Sequence, residues 1–142
     1  MTAKTLFLEI VTPTGIVFAE PVQMVIAPAV EGTVGILANH TPFFTKLNEG
    51  ELKIKKSDKE EFFTIYGGFM DVNPSGKVTI MTDGARRSEE ISEETARVAK
   101  QQAEKLLQEK DKLSEVDFAK AESSLRKAIL DLKVVQKRKR SR

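Results

Sequence analysis

The chain has 142 residues, 40% of them hydrophobic and 31% charged, with a net charge of +2 and no cysteine. That is enough apolar material for a core, but it excludes a disulfide framework, thiolate metal sites and a molecule that is basic all over. No apolar run approaches the ~20 residues of a membrane-spanning helix. The opening MTAKTLFLEIV has neither a secretory nor a transit pattern, so a cytosolic start in a reducing compartment is expected.

TLFLEIV (5–11) mixes β-branched and aromatic residues and reads as a first strand, with TPTG (12–15) as its turn. GIVFAE and, after Pro21, VQMVIAP read as two further strands. EGTVGILANHTPF (31–43) holds two glycines, Asn39, the chain's one histidine and Pro42. We read it as a shaped loop, with Gly32 and Gly35 making tight turns and Pro42 stiffening the exit. Phe43 and Phe44 then return to the core, and Glu31, Asn39 and His40 form a rim that presents a contact. In ELKIKK (51–56), Leu52 and Ile54 alternate with Lys53 and Lys55, the period of a half-exposed strand. Ser57-Asp58-Lys59 turns the chain, and EFFTIY (61–66) returns. GGFMDV and KVTIMT are joined by a turn at Asn73-Pro74-Ser75-Gly76. Gly67-Gly68 inside a strand predicts a bulge or a close backbone approach. Short strands at this spacing predict an antiparallel sandwich or flattened barrel.

The chain changes character near residue 86, because all eight glycines and all five prolines lie before it. The remainder should therefore run in long helices. Ser92, with Glu93 and Glu94 behind it, is an expected N-cap. Ala96, Ala99, Ala103 and Leu106 recur at helical spacing, and KDKLS (110–114) breaks the pattern. Ser114 and Asp117 then form a variant capping box. Phe118, Ala121, Leu125, Ala128, Leu132 and Val135 continue as one seam. The expected architecture is α+β: a β-sandwich over 1–86 and an antiparallel two-helix hairpin over 87–142. Two slender helices have little interior of their own and need a second surface, which leaves a permanently docked hairpin and a movable one both open. Lys133, Lys137, Arg138, Lys139, Arg140 and Arg142 make a basic end without an acid, whereas the first helix opens on Glu89, Glu90, Glu93 and Glu94. The basic end complements the helix dipole, and it also suits a nucleic acid, an anionic lipid or an acidic protein surface.

Catalytic parts are missing. One histidine and no cysteine, without HExxH, leave no zinc motif, and Gly32-Thr33-Val34-Gly35 lacks the GK[ST] of a P-loop. His40 has no identifiable nucleophile to serve as a base, so a hydrolase reading rests on it alone, and a histidine held by its own backbone is the plainer expectation.

GTVGILANHTPF (32–43), the Gly50 turn, YGGFMDV (66–72), VTIMTD (78–83) and the alanine-rich hairpin together resemble the epsilon subunit family of the F-type ATP synthase over nearly the whole chain. One departure is Ala38, where that family usually carries proline, a change that loosens the loop. The resemblance implies a sandwich of about ten strands, a two-helix hairpin and a non-catalytic place in the central stalk. It implies a sandwich that binds the gamma subunit and rests on the membrane proteolipid ring, with Glu31, Asn39 and His40 falling at the ring. It also implies a hairpin that either folds down or extends beside gamma into the catalytic head, suppressing ATP hydrolysis. Arg126, Lys127 and Lys133 would then face an acidic segment of the beta subunit, near alpha, with the terminal Lys/Arg run as a weaker candidate. The expected location is the cytoplasmic face of the bacterial inner membrane, held through the complex without direct insertion. Some relatives bind ATP through I/L-D-x-x-R-A; here Ile91-Ser92-Glu93-Glu94-Thr95-Ala96 replaces the aspartate with Ser92 and the arginine with Thr95. Gln102 replaces another arginine and Arg86 an acid, so no cofactor is expected and ATP binding should be weak or absent. The rival reading, a small nucleic-acid-binding module using the basic tail, is disfavoured because no aromatic residue is interleaved there.

Overall fold

The computed structural model describes residues 4–140, apart from the Lys110 side chain; Arg142 of the basic run lies outside them. The chain divides into two compact units, with the boundary between Arg87 and Ser88.

The first unit has eight strands: β1 (Leu6–Thr12), β2 (Gly15–Val22), β3 (Met24–Ala29), β4 (Gly32–Leu37), β5 (Phe43–Lys55), β6 (Glu60–Val72), β7 (Lys77–Met81) and β8 (Ala85–Arg87). They pair in the order β2-β1-β7-β6-β5-β3-β4, with β8 added on β6. Every pair is antiparallel except β1–β7. β5 and β6 are each 13 residues long and pair along their length. One half of β6, Phe69–Val72, pairs with β7, and the other, Phe63–Ile65, pairs with β8. The two long strands therefore run through both layers of the sandwich. Counted once in each layer, they turn the eight continuous strands into the expected total of about ten.

Alternation builds the core. Leu8 and Ile10 of β1, Leu52 and Ile54 of β5, Ile65 of β6 and Ile80 of β7 are completely buried. Phe18 and Phe63 meet edge to face at 5.7 Å. The Arg87 guanidinium lies over both rings and the Lys56 ammonium over Phe18. Lys56 also reaches Glu20 at 2.8 Å and Glu61 at 3.4 Å. The hydrogen bond from Lys56 holds the Glu20 carboxyl below its usual range. Burial pulls the Lys56 ammonium down, but the hydrogen bond to Glu20 and the charge of Glu61 outweigh it, and the net shift is upward.

Gly67 and Gly68 do not interrupt β6. Both take positive φ, 84° and 132°. A Cβ on Gly68 would stand 2.0 Å from the Met81 carbonyl oxygen. Of the two expected alternatives, Gly68 marks the close backbone approach.

The stretch 31–43 is mostly not a loop. Gly32–Leu37 is strand β4, paired with β3 from Ala29↔Gly32 to Met24↔Leu37. Gly35 sits in mid-strand, where a Cβ would press on the Met24 methyl at 2.7 Å. Its missing side chain makes room for a neighbour and does not make a turn. Phe43 and Phe44 do not return to the core, being 37% and 61% exposed at the start of β5. Leu47 is the first buried residue of that strand.

The second unit opens with a 3-10 turn, Ser88–Glu90, followed by α1 (Glu93–Gln108), a short turn Lys110–Lys112 and α2 (Glu115–Arg140). Ser92 Oγ accepts the Thr95 N–H at 3.2 Å, and Ser114 Oγ accepts the Asp117 N–H at 3.1 Å, so both expected caps form. Ala96, Ala103, Ala121, Ala128 and Val135 are buried, with Phe118, Leu125 and Leu132 half-buried along the same seam. Leu106, expected on the seam, is 45% exposed. It lines a groove of about 400 Å³ with Ala99, Ala103, Leu113 and Ala121. Alanines on both sides leave too little side chain to fill that space.

Candidate docking surfaces

β1 turns Leu6, Leu8 and Ile10 inward and therefore Phe7, Glu9 and Val11 outward. β7 likewise turns Lys77, Thr79 and Met81 outward. The registers Ile16↔Val11, Val11↔Met81 and Met81↔Phe69 set these four side chains in one row across β2, β1, β7 and β6. Ile16 is 61%, Phe69 44% and Met81 41% exposed. Phe44, two residues along β5 from Lys46, the partner of Phe69, stacks diagonally on Phe69 with ring centroids 5.7 Å apart. The next row is polar over Glu9, Thr79 and Asp71 and ends on Phe44, which faces Asp71, and Lys77 reaches Glu9 at 3.4 Å. A groove of about 630 Å³ adjoins the apolar row, lined in part by Val11, Lys46, Tyr66, Gly68 and Asp83. A contiguous apolar strip edged by polar residues, on a sheet already packed on its other face, is the signature of a partner site.

Sequence reading missed this surface. The available signal was apolar residues on both parities of β1 and β6, which marks strands covered on two faces.

Glu31 is exposed in the β3–β4 turn, whereas Asn39 and His40 lie in the β4–β5 connection. Six-residue β4 runs between them, roughly 20 Å at ~3.3 Å per residue. Asn39 and His40 are neighbours, but Glu31 stands at the opposite end of the strand and shares no rim with them. The His40 N–H donates to the Leu37 carbonyl at 3.2 Å, and Asn39 has φ 64°. With Ala38 at negative φ this is a type II turn, which favours Asn or Gly at its third position. His40 Nδ1 donates to the Thr41 carbonyl at 2.7 Å, so the ring is held by its own backbone. Proline suits the second position of such a turn, where it narrows the unfolded ensemble. Ala38→Pro should therefore stabilise the chain by about 0.4–1 kcal/mol, read as a higher midpoint of thermal unfolding.

Arg126, Lys127 and Lys133 are exposed on α2. Arg126 and Lys133, seven residues apart, share a face, and Lys127 is turned about 100° from it. Further along, Arg138 donates to the Ser88 carbonyl and Lys139 to the Glu93 carboxylate, so the helices are antiparallel. The Lys139 hydrogen bond holds the Glu93 carboxyl below its ordinary value. Among the described residues no group of three or more His, Asp or Glu could hold a metal ion, and no helix is long and apolar enough to cross a membrane.

Residues 5–88 match the family described as ATP synthase, Delta/Epsilon chain, beta-sandwich domain, and residues 89–136 match ATP synthase, Delta/Epsilon chain, long alpha-helix domain. The chain belongs to the ATP synthase epsilon chain family. The epsilon chain of Herpetosiphon aurantiacus is 46% identical over 132 residues, covering 93% of this chain and 95% of the relative. That of Nitrosococcus oceani is 38% identical over 136 residues, 95% of each. A chain in the cryo-EM structure of the Euglena gracilis mitochondrial ATP synthase shares the fold, with TM-score 0.67 and 24% identity over 96% of this chain and 81% of that one. An epsilon chain is a non-catalytic stalk subunit of the synthase. Nothing in these matches supports the nucleic-acid reading of the basic tail.

Proposed function

We propose that the apolar row Ile16–Val11–Met81–Phe69, with Phe44, seats the gamma subunit of the central stalk. The single observation behind this is that row itself: large apolar side chains held outward on the rigid face of a two-layered sandwich. Capture tests it. Purified gamma should be retained by the immobilised full-length chain through high-salt washing, because the seat is apolar. Loss of capture as salt rises would point instead to a charged interface.

The proteolipid ring is the second partner in this reading. Glu31 meets it from one end of β4 and Asn39 with His40 from the other, as two separate touches. The hairpin is the regulatory part. Extended toward the beta and alpha subunits of the catalytic head, it restrains ATP hydrolysis, with Arg126 and Lys133 on one face and Lys127 beside them against an acidic surface. In a bacterial cell the subunit then sits on the cytoplasmic face of the inner membrane, held there by the complex.

ATP is a poor ligand for this hairpin. Ser92 and Thr95, which replace the aspartate and arginine of the family's nucleotide motif, are joined by the α1 cap, Thr95 N–H to Ser92 Oγ. Without a cation at 95 the phosphates lose a principal partner. Calorimetric titration should give a Kd in the millimolar range, about −4 kcal/mol; micromolar affinity would overturn this reading.

A further inference from the structure

We propose that the hairpin carries a two-point clasp at its open end, where Lys139 on Glu93 and Arg138 on the Ser88 carbonyl hold the last turns of α2 against the start of α1 and govern how readily the helices part. The clasp itself rests only on the geometry of the hairpin; its consequence for hydrolysis rests on the braking role proposed above.

The helices are joined covalently at one end, by residues 109–114. Between there and the other end the buried members of the seam are the four alanines Ala96, Ala103, Ala121 and Ala128, joined by Val135 near the open end. Alanine contacts give little burial per turn. The far end has no covalent joint, and there the two contacts occur. Ser88 is fully buried, and its carbonyl accepts both the Ile91 N–H at 3.2 Å and the Arg138 guanidinium. That carbonyl belongs to a 3-10 turn just ahead of α1. Arg138 thus ties the last turn of one helix to the entry of the other. Lys139 crosses to Glu93, the first residue of α1, where a carboxylate also complements the helix dipole. Glu94, the other acid of that first turn, is paired with Arg97 of its own helix.

The two points differ in kind. The Lys139 and Glu93 side chains are 56% and 39% exposed, so salt screens their attraction. The Arg138 contact is partly buried and directed at a carbonyl, so salt leaves it largely intact. The clasp therefore has a salt-sensitive half and a salt-insensitive half.

Amide hydrogen exchange on the full-length chain, read at residues 93–97 and 132–140, tests this. Lys139→Gln and Glu93→Gln should each speed exchange about two- to five-fold in 20 mM NaCl, the worth of an exposed ion pair. The double variant should be no faster than either single, and in 0.5 M NaCl the differences should vanish. Arg138→Gln should speed exchange about tenfold at both salt concentrations. Additive effects in the double variant, or exchange unchanged in all of them, would overturn the clasp. The same variants in the assembled synthase separate the two readings. If exchange responds as stated and ATP hydrolysis falls, because a looser hairpin extends more readily, both hold. If exchange responds and hydrolysis does not, the clasp stands and the brake fails.

Discussion

A chain carrying Gly68→Ala is expected to lose most of the stability of its sandwich. Two costs coincide at this position. A φ of 132° is a conformation that a side chain rarely adopts, and the new methyl would stand 2.0 Å from the Met81 carbonyl and 2.9 Å from Thr82 Cα. Both neighbours are backbone, at the end of the strand that pairs with β6 and just beyond it, so neither can swing aside as a side chain would. Strain of about 1–3 kcal/mol adds to an overpacking cost of similar size, and the sum approaches the whole stability of a small domain. The thermal midpoint should fall by about 15–30 °C. Gly76→Ala is the control: its φ is 89°, but nothing lies within 4 Å of the added methyl, so only the backbone cost of about 1–2 kcal/mol remains. Equal losses at the two positions would mean that the close approach at Gly68 is not what the glycine serves.

Phe69→Glu should leave the fold intact and abolish capture of gamma. Phe69 is 44% exposed, in the apolar row and under the stacked ring of Phe44. In the free chain a glutamate there can reach water, and the thermal midpoint should shift by only a few degrees. In the complex the same carboxylate would be buried without a partner while an aromatic anchor is lost, about 3 kcal/mol or more, a drop in affinity exceeding a hundredfold. Val116→Glu, at an exposed position on α2, should leave capture unchanged. Capture by Phe69→Glu equal to that by the parent chain would remove the row as the seat.

Residue patterns make much of the fold legible for identifiable physical reasons. The loss of every Gly and Pro after residue 84 announces the helices, and the caps at Ser92 and Ser114 mark where they begin. Period-two alternation in Lys53–Ile54–Lys55 announces a strand with one wet face. Other features are less legible because local signals are degenerate. Gly35 looks the same whether it turns the chain or makes room for Met24 within an edge strand. Gly67-Gly68 reads equally as a bulge or as a close backbone approach until the Met81 carbonyl is seen against Gly68. Phe43 and Phe44 look like core because aromatic residues usually are; their exposure comes from the register that β5 adopts with β6, which no local pattern contains. The apolar row is the same case, since Val11 and Ile16 belong to the first hairpin whereas Phe69 and Met81 come from much later in the chain, and the four meet only through three strand pairings. Glu31 and His40 show the converse: nine residues apart in sequence, they are separated by the length of a strand.

The proposed function divides the labour: the sandwich alone holds the rotor and the helices alone restrain it. Truncation after Arg87, at the boundary between the two compact units, tests it most directly. Synthase reconstituted with the truncated chain should retain that chain on gamma as firmly as the full-length one while hydrolysing ATP faster. Loss of gamma capture on removing the helices would overturn that division.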